Sequence, residues 1–329
     1  MKALLNRLFE HEKLSEQEAY EVLSRIGNGE FNSGQIVSFL TVYNMRTVTV
    51  EELTGFRNAM LDLCLKIDLS DYNTIDIVGT GGDGKDTFNI STCSSFVVAG
   101  AGMKVAKHGN YGVSSSSGSS NVLEYLGVPF TNDESKLNQM LDKAGFCMMH
   151  APLFHPAMKH VAPARKEMQV RTIFNVLGPI VNPSNPNNQL LGTFNLELQR
   201  LYAYLTQNSS NNFSIAHALD GYDEISLTSG TKVISNKGEY IYEAKDFAFQ
   251  RLRQKQLEGG GSVKSAAQIF VNILEGKATE AQANVVIANS ALAIQTVMQN
   301  KLEDAITIAK ESIDSGKAKQ VLAVLKKFN

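Results

Sequence analysis

The sequence predicts an α/β protein: a small N-terminal helical domain, residues 1–70, and a larger domain, residues 71–329, with a mostly parallel central sheet flanked by helices. Three observations predict it. Apolar residues in 1–70 recur only at helical spacing. From Ile75 onward, short apolar runs alternate with helical stretches, the pattern of strands joined by crossovers. With 329 residues, 43% of them apolar and 19% charged, the chain has the length and composition of a globular protein with a sizeable core.

In the helical part, Leu4, Leu5, Leu8 and Phe9 share one face, as do Ala19, Val22, Leu23 and Ile26. Ser15 with Glu18 forms a capping-box pattern, and Asn28-Gly29 breaks the chain. Asn32 with Gln35 starts a helix through Phe39, Leu40 and Tyr43, and Thr49 with Glu52 caps a helix over 50–66. Beyond it, strands are expected at Ile75–Gly79, Met103–Lys107, Phe146–Met149, Phe213–Ala218 and Thr231–Ser235. Helices are expected over Ser95–Ala101, Val122–Leu126, 133–145, 155–170, 195–208 and 277–299. The Pro/Asn-rich run Pro179–Pro186 reads as a loop returning from the helical side, a helical segment near 165–190 joining the first domain. Gly259-Gly260-Gly261 reads as a turn before C-terminal helices.

A net charge of −2 gives no general electrostatic reason to bind nucleic acid or an anionic membrane. No apolar run reaches transmembrane length, and the N-terminus lacks a secretory apolar core. Cys64, Cys93 and Cys147 are far apart and set among apolar residues, as small buried hydrophobes in a reducing compartment are. A cytoplasmic location is the expectation.

The stretch Ile75–Thr92 is the strongest local signal. An apolar run ends in four glycines within six positions (Gly79, Gly81, Gly82, Gly84), followed by Thr87-Phe-Asn89-Ile-Ser91-Thr92. Strand, glycine loop and helix start in that order make a phosphate cradle: glycines let backbone N–H groups approach a ligand, and the helix start adds unpaired donors. Two commoner motifs match only in part and remain minor alternatives. Gly79, Gly81 and Gly84 satisfy the dinucleotide spacing, but no Asp or Glu stands between Asp86 and Glu124 to hold a ribose hydroxyl. Gly79 to Lys85 starts a P-loop pattern, but Asp86 occupies the position of the magnesium-binding hydroxyl.

Three more stretches carry chemistry. Lys107-His108-Gly109-Asn110 and the serine run through Ser119 follow a strand and precede a helix, offering a point charge, backbone donors and hydroxyls to a polyanion. A plain Ser/Gly linker would not need to begin on a strand and end in a helix. Asp223-Glu224, beyond the Phe213–Ala218 strand, is a hard-oxygen pair suited to magnesium; the bland alternative is an acidic surface turn. In the run His155–Asn175 most charges read as a solvated helix face, with one Arg available to grip a carboxylate bidentately. His150, His155 and His160, five apart, scatter around a helix and read as structural.

Taken together, Asp76–Asp83, Thr87–Thr92, Lys107–Asn110, Ser117–Ser119, Arg171–Pro179 and Asp220–Glu224 resemble, in order and over essentially the whole chain, the anthranilate phosphoribosyltransferase family. The resemblance implies a nucleoside phosphorylase/phosphoribosyltransferase-like fold, the helical domain hinged on the larger one, and a homodimer. It implies transfer of the phosphoribosyl group from phosphoribosyl diphosphate to the amine of anthranilate, with magnesium, two ions per subunit. By position, Gly79, Gly82, Asp83, Thr87, Asn89, Ile90, Ser91, Thr92, Lys107, His108, Gly109, Asn110, Ser114, Ser115 and Ser119 would hold phosphoribosyl diphosphate. Gly79, Asn110 and Arg165 would contact anthranilate, and Ser91, Asp223 and Glu224 would bind magnesium. No dedicated acid or base is implied, because an aryl amine is already a neutral nucleophile at pH 7 and catalysis reduces to positioning and charge neutralisation. The chain departs from the family at Tyr111, Gly112 and Ser116, where many members carry Arg-Ser or Arg-Ala and a basic residue within the serine run. The rivals are a pyrimidine nucleoside phosphorylase of the same fold and a non-catalytic nucleic-acid-binding relative.

Overall fold

The structure, a computed structural model, describes residues 1–112, 117–207 and 209–329. Its contacts divide the chain into two compact units, Met1–Lys66 with Ala151–Pro183, and Ile67–His150 with Ser184–Asn329.

The first unit is helical. Helices span Lys2–Phe9, Glu16–Gly27, Ser33–Met45 and Val50–Leu63, and the last three begin in capping boxes at Ser15/Glu18, Asn32/Gln35 and Thr49/Glu52. The rings of Phe39, Tyr43 and Phe56 pack edge-on at 5.1–5.8 Å between centroids. Beside them the buried Glu52 carboxylate accepts from both Arg46 terminal nitrogens (2.6 and 2.8 Å), the Leu14 and Thr49 N–H groups (3.0 Å each) and the Tyr43 hydroxyl (3.2 Å). Burial alone would raise its pKa, but these donors outweigh burial and hold it below the ordinary glutamate range. The second segment returns to the same unit through Arg57 Nε donating to the Ile180 carbonyl (3.0 Å) and Ser33 Oγ donating to Glu167 (2.9 Å). This segment begins at Ala151, earlier than the 165–190 expected, and the single helix expected over 155–170 is broken. A 3-10 turn at Pro156–His160 precedes the helix Ala162–Met168, because Pro156 and Pro163 lack the N–H groups that a continuous helix would use.

The second unit holds one seven-stranded sheet: β1 Thr74–Gly79, β2 Lys104–Gly109, β3 Phe146–His150, β4 Asn188–Gly192, β5 Asn212–Ala218, β6 Thr231–Ser235 and β7 Gly238–Tyr242. Their order is β3-β2-β1-β4-β5-β6-β7, with β3 through β5 parallel and the last two antiparallel. The chain runs outward from β1 to β2 and β3, then returns on the other side of β1 as β4 and β5. β1 and β4 therefore flank the point at which strand order reverses, where open parallel sheets bind ligands at their carboxyl ends. Helices Ile90–Gly100 and Glu280–Met298 cover one another and the sheet; both are buried along most of their length. Phe96 packs on Phe146 (4.6 Å) and Phe270 (5.1 Å), joining the first of these helices to β3 and to the Val263–Leu274 helix. Two strands, β4 and β7, were not expected from the sequence.

Candidate functional site

The site is assembled at the carboxyl ends of β1 and β4. These strands end in register on Gly79 and Gly192, and the Thr80 N–H donates to the Gly192 carbonyl (3.0 Å). The turn after β5 folds back across both ends. A Cβ on Gly79 would collide with the Asp223 carboxylate, and one on Gly192 with the Asp223 carbonyl oxygen. Two glycines facing each other across the strand pair are thus what admits the acidic turn. The sequence shows Gly79 as part of a motif and gives no sign of Gly192.

Above β1, Gly81 and Gly82 take left-handed backbone angles (φ 64° and 71°), which turn the Gly81 N–H onto Asp223 Oδ2 at 2.6 Å. Asp83 accepts from the Lys85 N–H (3.0 Å) and its carboxylate lies against that of Asp223. Glu224 Oε1 accepts from the Ser91 N–H (2.8 Å) in the first turn of the Ile90–Gly100 helix. That donor was expected to meet phosphate; a protein carboxylate takes it, at the positive end of the helix dipole.

This crowding shifts the acidic groups strongly. Burial, then the Asp83 charge, pushes the Asp223 carboxyl up to about 7, against the pull of the Gly81 N–H. Burial and the Asp223 charge raise Glu224 well above the usual carboxylate range. Lys107 is fully buried beneath them, its ammonium donating to the Ile77 carbonyl. Burial lowers its pKa, while Asp76, Glu224 and Asp223 favour its charge. Lys107 therefore compensates the carboxylates from below, instead of presenting the solvent-facing point charge that its sequence context suggested. Asp76 is also fully buried and accepts from the His108 N–H (3.0 Å), coupling β1 to β2 at this level.

Asp223 and Glu224 are desolvated and raised, with Asp83 beside Asp223, and hard-oxygen groups in that state are ones that a divalent cation would relieve. Among the described residues no group of three or more His, Cys, Asp or Glu forms a ready metal cage.

The second loop closes the other side. Gly118 packs against the backbone of Tyr111 and Gly112, where a Cβ would collide. Asn121 Oδ1 accepts from the N–H groups of Gly112 (2.9 Å) and Gly118 (3.0 Å), and the Asn110 carbonyl accepts from Ser119 Oγ (3.3 Å) and the Ser120 N–H (3.2 Å). Asn89 Nδ2 donates to the Ser117 carbonyl (3.0 Å), tying the two loops together, while buried Asn89 Oδ1 and Ser117 Oγ have no partner among the described residues. Ser114, Ser115 and Ser116 lie outside the described residues. Tyr111 directs its hydroxyl to Glu124 (3.2 Å) and its ring edge-on to His150 (4.9 Å).

Of the remaining expected residues, Ile90 and Thr92 are buried in the first turn of their helix and Thr87 bridges to Glu258. Lys85, absent from the expected set, lies over the Tyr222 ring at 4.8 Å; burial, then Asp220 and Asp83, push that tyrosine up to about 12. Arg165 stands on the Ala162–Met168 helix of the helical unit. It donates to Asn175 Oδ1 (3.3 Å) and stacks at 5.8 Å on Phe174, with burial lowering its pKa and no carboxylate in ion-pair range among the described residues. The three histidines are indeed dispersed: His150 Nδ1 pairs with Ser120 Oγ (2.9 Å) and stacks on Phe130 (4.5 Å), and burial pushes His155 down to about 4.

Residues 2–64 match the helical bundle domain, and residues 71–319 the a/b domain, of a glycosyl transferase family. Anthranilate phosphoribosyltransferases of Flavobacterium johnsoniae and Flavobacterium psychrophilum are 58% and 59% identical over 329 residues, covering all of this chain and all of each relative. The chain belongs to the anthranilate phosphoribosyltransferase family. Among solved structures, the Thermus thermophilus family member superposes with a TM-score of 0.91 at 31% identity, covering 98% of both chains. The Saccharomyces cerevisiae member, in complex with phosphoribosyl diphosphate (PRPP) and Mg, superposes with a TM-score of 0.90 at 28% identity, covering 97% of this chain and 94% of that one. The phosphorylase and nucleic-acid-binding alternatives are not favoured.

Proposed function

We propose that this protein transfers the 5-phosphoribosyl group of phosphoribosyl diphosphate to the amine of anthranilate, giving N-(5-phosphoribosyl)anthranilate and diphosphate in tryptophan biosynthesis. What supports this most is the acidic turn held over paired Gly79 and Gly192 at the strand-order reversal, in a chain 58–59% identical over its full length to anthranilate phosphoribosyltransferases.

In the reaction the C1–O bond to diphosphate breaks, the C1–N bond forms, and the amine loses a proton to solvent. Magnesium would be held by Asp223, Glu224 and the Ser91 hydroxyl, two ions per subunit, and supplies neutralisation of the leaving diphosphate. Gly81 and Ser91 N–H groups fix the two carboxylates before substrate arrives, so no reorganisation is needed as charge develops. Gly79, Gly82, Asp83, Thr87, Asn89, Ile90, Ser91, Thr92, His108, Gly109, Asn110, Ser114, Ser115 and Ser119 would line the phosphoribosyl diphosphate site, with Lys107 acting on it from beneath through the carboxylates. The orphan acceptor on Asn89 and the orphan hydroxyl of Ser117 are groups that a sugar-phosphate could satisfy. Gly79 and Asn110 would contact anthranilate, and Arg165, a half-buried guanidinium with no carboxylate in ion-pair range among the described residues, would clamp the anthranilate carboxylate. A homodimer in the cytoplasm completes the reading.

The test is loss of anthranilate fluorescence on mixing the protein with phosphoribosyl diphosphate. Turnover with magnesium and none after chelation is expected; a folded protein that turns over nothing with magnesium present rejects the proposal.

A further inference from the structure

We infer that Asn289, on the buried face of the Glu280–Met298 helix, is a positioning residue for the acidic turn. This rests on the reading of Asp223 and Glu224 as metal-holding groups. Ile225 follows Glu224 directly, is buried, and belongs to neither sheet nor helix, so its backbone needs partners from elsewhere. One side chain supplies both. Asn289 Oδ1 accepts from the Ile225 N–H at 3.0 Å, and Asn289 Nδ2 donates to the Ile225 carbonyl at 2.8 Å, across 64 residues of sequence. The same Nδ2 also donates to the Val285 carbonyl (2.9 Å), which fixes the rotamer. The amide therefore acts as a strand-like partner for a single residue of the turn.

The turn needs such a clamp because it is strained. Leu227, two residues further on and buried, holds a left-handed φ of 59°, which a branched apolar side chain keeps only where its surroundings over-determine it. The far side of the turn is pinned separately, by Asp220 accepting from the hydroxyls of Thr228 (2.6 Å) and Ser229 (2.7 Å). Between these anchors Glu224 has two restraints: its carboxylate on the Ser91 N–H, and its backbone through Ile225 on Asn289. Removing the second lets the turn relax along the chain and carries the Glu224 carboxylate off the helix terminus.

The experiment compares the wild-type protein with Asn289→Leu, which keeps the shape and loses both bonds, and Asn289→Ser, which leaves room for a water. Mn2+ binding in the presence of phosphoribosyl diphosphate and absence of anthranilate is followed by electron paramagnetic resonance. KM values for both substrates and melting temperature are measured beside it. The expected result for Asn289→Leu is metal affinity weakened by about 10- to 100-fold, as for other groups that orient a metal ligand. Asn289→Ser should show a smaller loss, and the anthranilate KM should stay within about twofold in both, because uniform binding of that substrate is untouched. A lowered melting temperature with wild-type Mn2+ affinity in either folded variant overturns the inference, and if Asn289→Leu does not fold, Asn289→Ser alone decides. A wild-type protein that binds no Mn2+ with phosphoribosyl diphosphate overturns the metal-site reading itself, and the inference with it.

Discussion

Gly192→Ala is the most informative single substitution. The change adds one methyl group at a position whose backbone angles any residue tolerates, at the end of β4 opposite Gly79. The added carbon would overlap the Asp223 carbonyl oxygen and stand 3.2 Å from the Gly79 Cα. Non-bonded heavy atoms rest about 3.5–4.0 Å apart, so the turn must retreat by roughly an ångström or more. Backbone, not a flexible side-chain tip, is the obstacle. The 2.6 Å bond from the Gly81 N–H to Asp223 cannot survive that retreat, and the metal-facing carboxylates move with it. Misplacement on this scale costs about 10²-fold in rate, roughly 2.7 kcal/mol of activation free energy. The stability cost of overpacking is about 1–3 kcal/mol, which a large two-unit chain can tolerate. Steady-state kinetics by anthranilate fluorescence, with a melting curve as folding control, should show kcat reduced about 100-fold and magnesium half-saturation raised. A folded Gly192→Ala protein with wild-type kcat and wild-type magnesium response refutes the reasoning.

Arg165→Ala should raise the anthranilate KM far more than that for phosphoribosyl diphosphate; equal rises in initial-rate measurements reject the carboxylate clamp. Asp223→Asn combined with Glu224→Gln removes two desolvated carboxyl groups while keeping their shapes, so the protein should lose its response to magnesium yet melt no lower than wild type. An unchanged magnesium titration removes the pair from the site. In the helical unit, Glu52→Ala strands Arg46 and the N–H donors of Leu14 and Thr49, a loss of about 3–5 kcal/mol read from urea unfolding of the whole chain. Because Glu52 is held below its unfolded value near 4.3, its contribution is fully present above that pH and fades as pH falls through the lower folded value. Glu52→Gln should flatten that acid limb, and an unaltered pH dependence of unfolding would show that the carboxylate is not the cause.

Much of this architecture was legible because its signals are local. The capping boxes at Ser15, Asn32 and Thr49 need only four consecutive residues, and all three form. β1 and the glycine loop are readable for the same reason, as is the acidic pair beyond β5. β4 was not legible: Asn188-Gln189-Leu190-Leu191-Gly192 has two aliphatic residues and follows a Pro/Asn-rich loop. It nonetheless pairs with β1 and β5 and creates the reversal at which the site sits. β7 lacks the alternation of a half-buried strand, its first four residues being exposed. The inward aim of Lys107 was likewise hidden, because a strand-terminal Lys reads identically whether it faces a ligand or a buried carboxylate cluster. Asn289 and Gly192 act on a turn far from them in sequence, and no local pattern marks either.

The protein moves a phosphoribosyl group from diphosphate to an aryl amine. Phosphorus NMR of a mixture of protein, magnesium, phosphoribosyl diphosphate and anthranilate tests it most directly, with anthranilate followed in parallel. Diphosphate should appear one for one with anthranilate lost, and only when both substrates and magnesium are present. Diphosphate released without loss of anthranilate, or a phosphoribosyl diphosphate signal unchanged in the complete mixture, would contradict it.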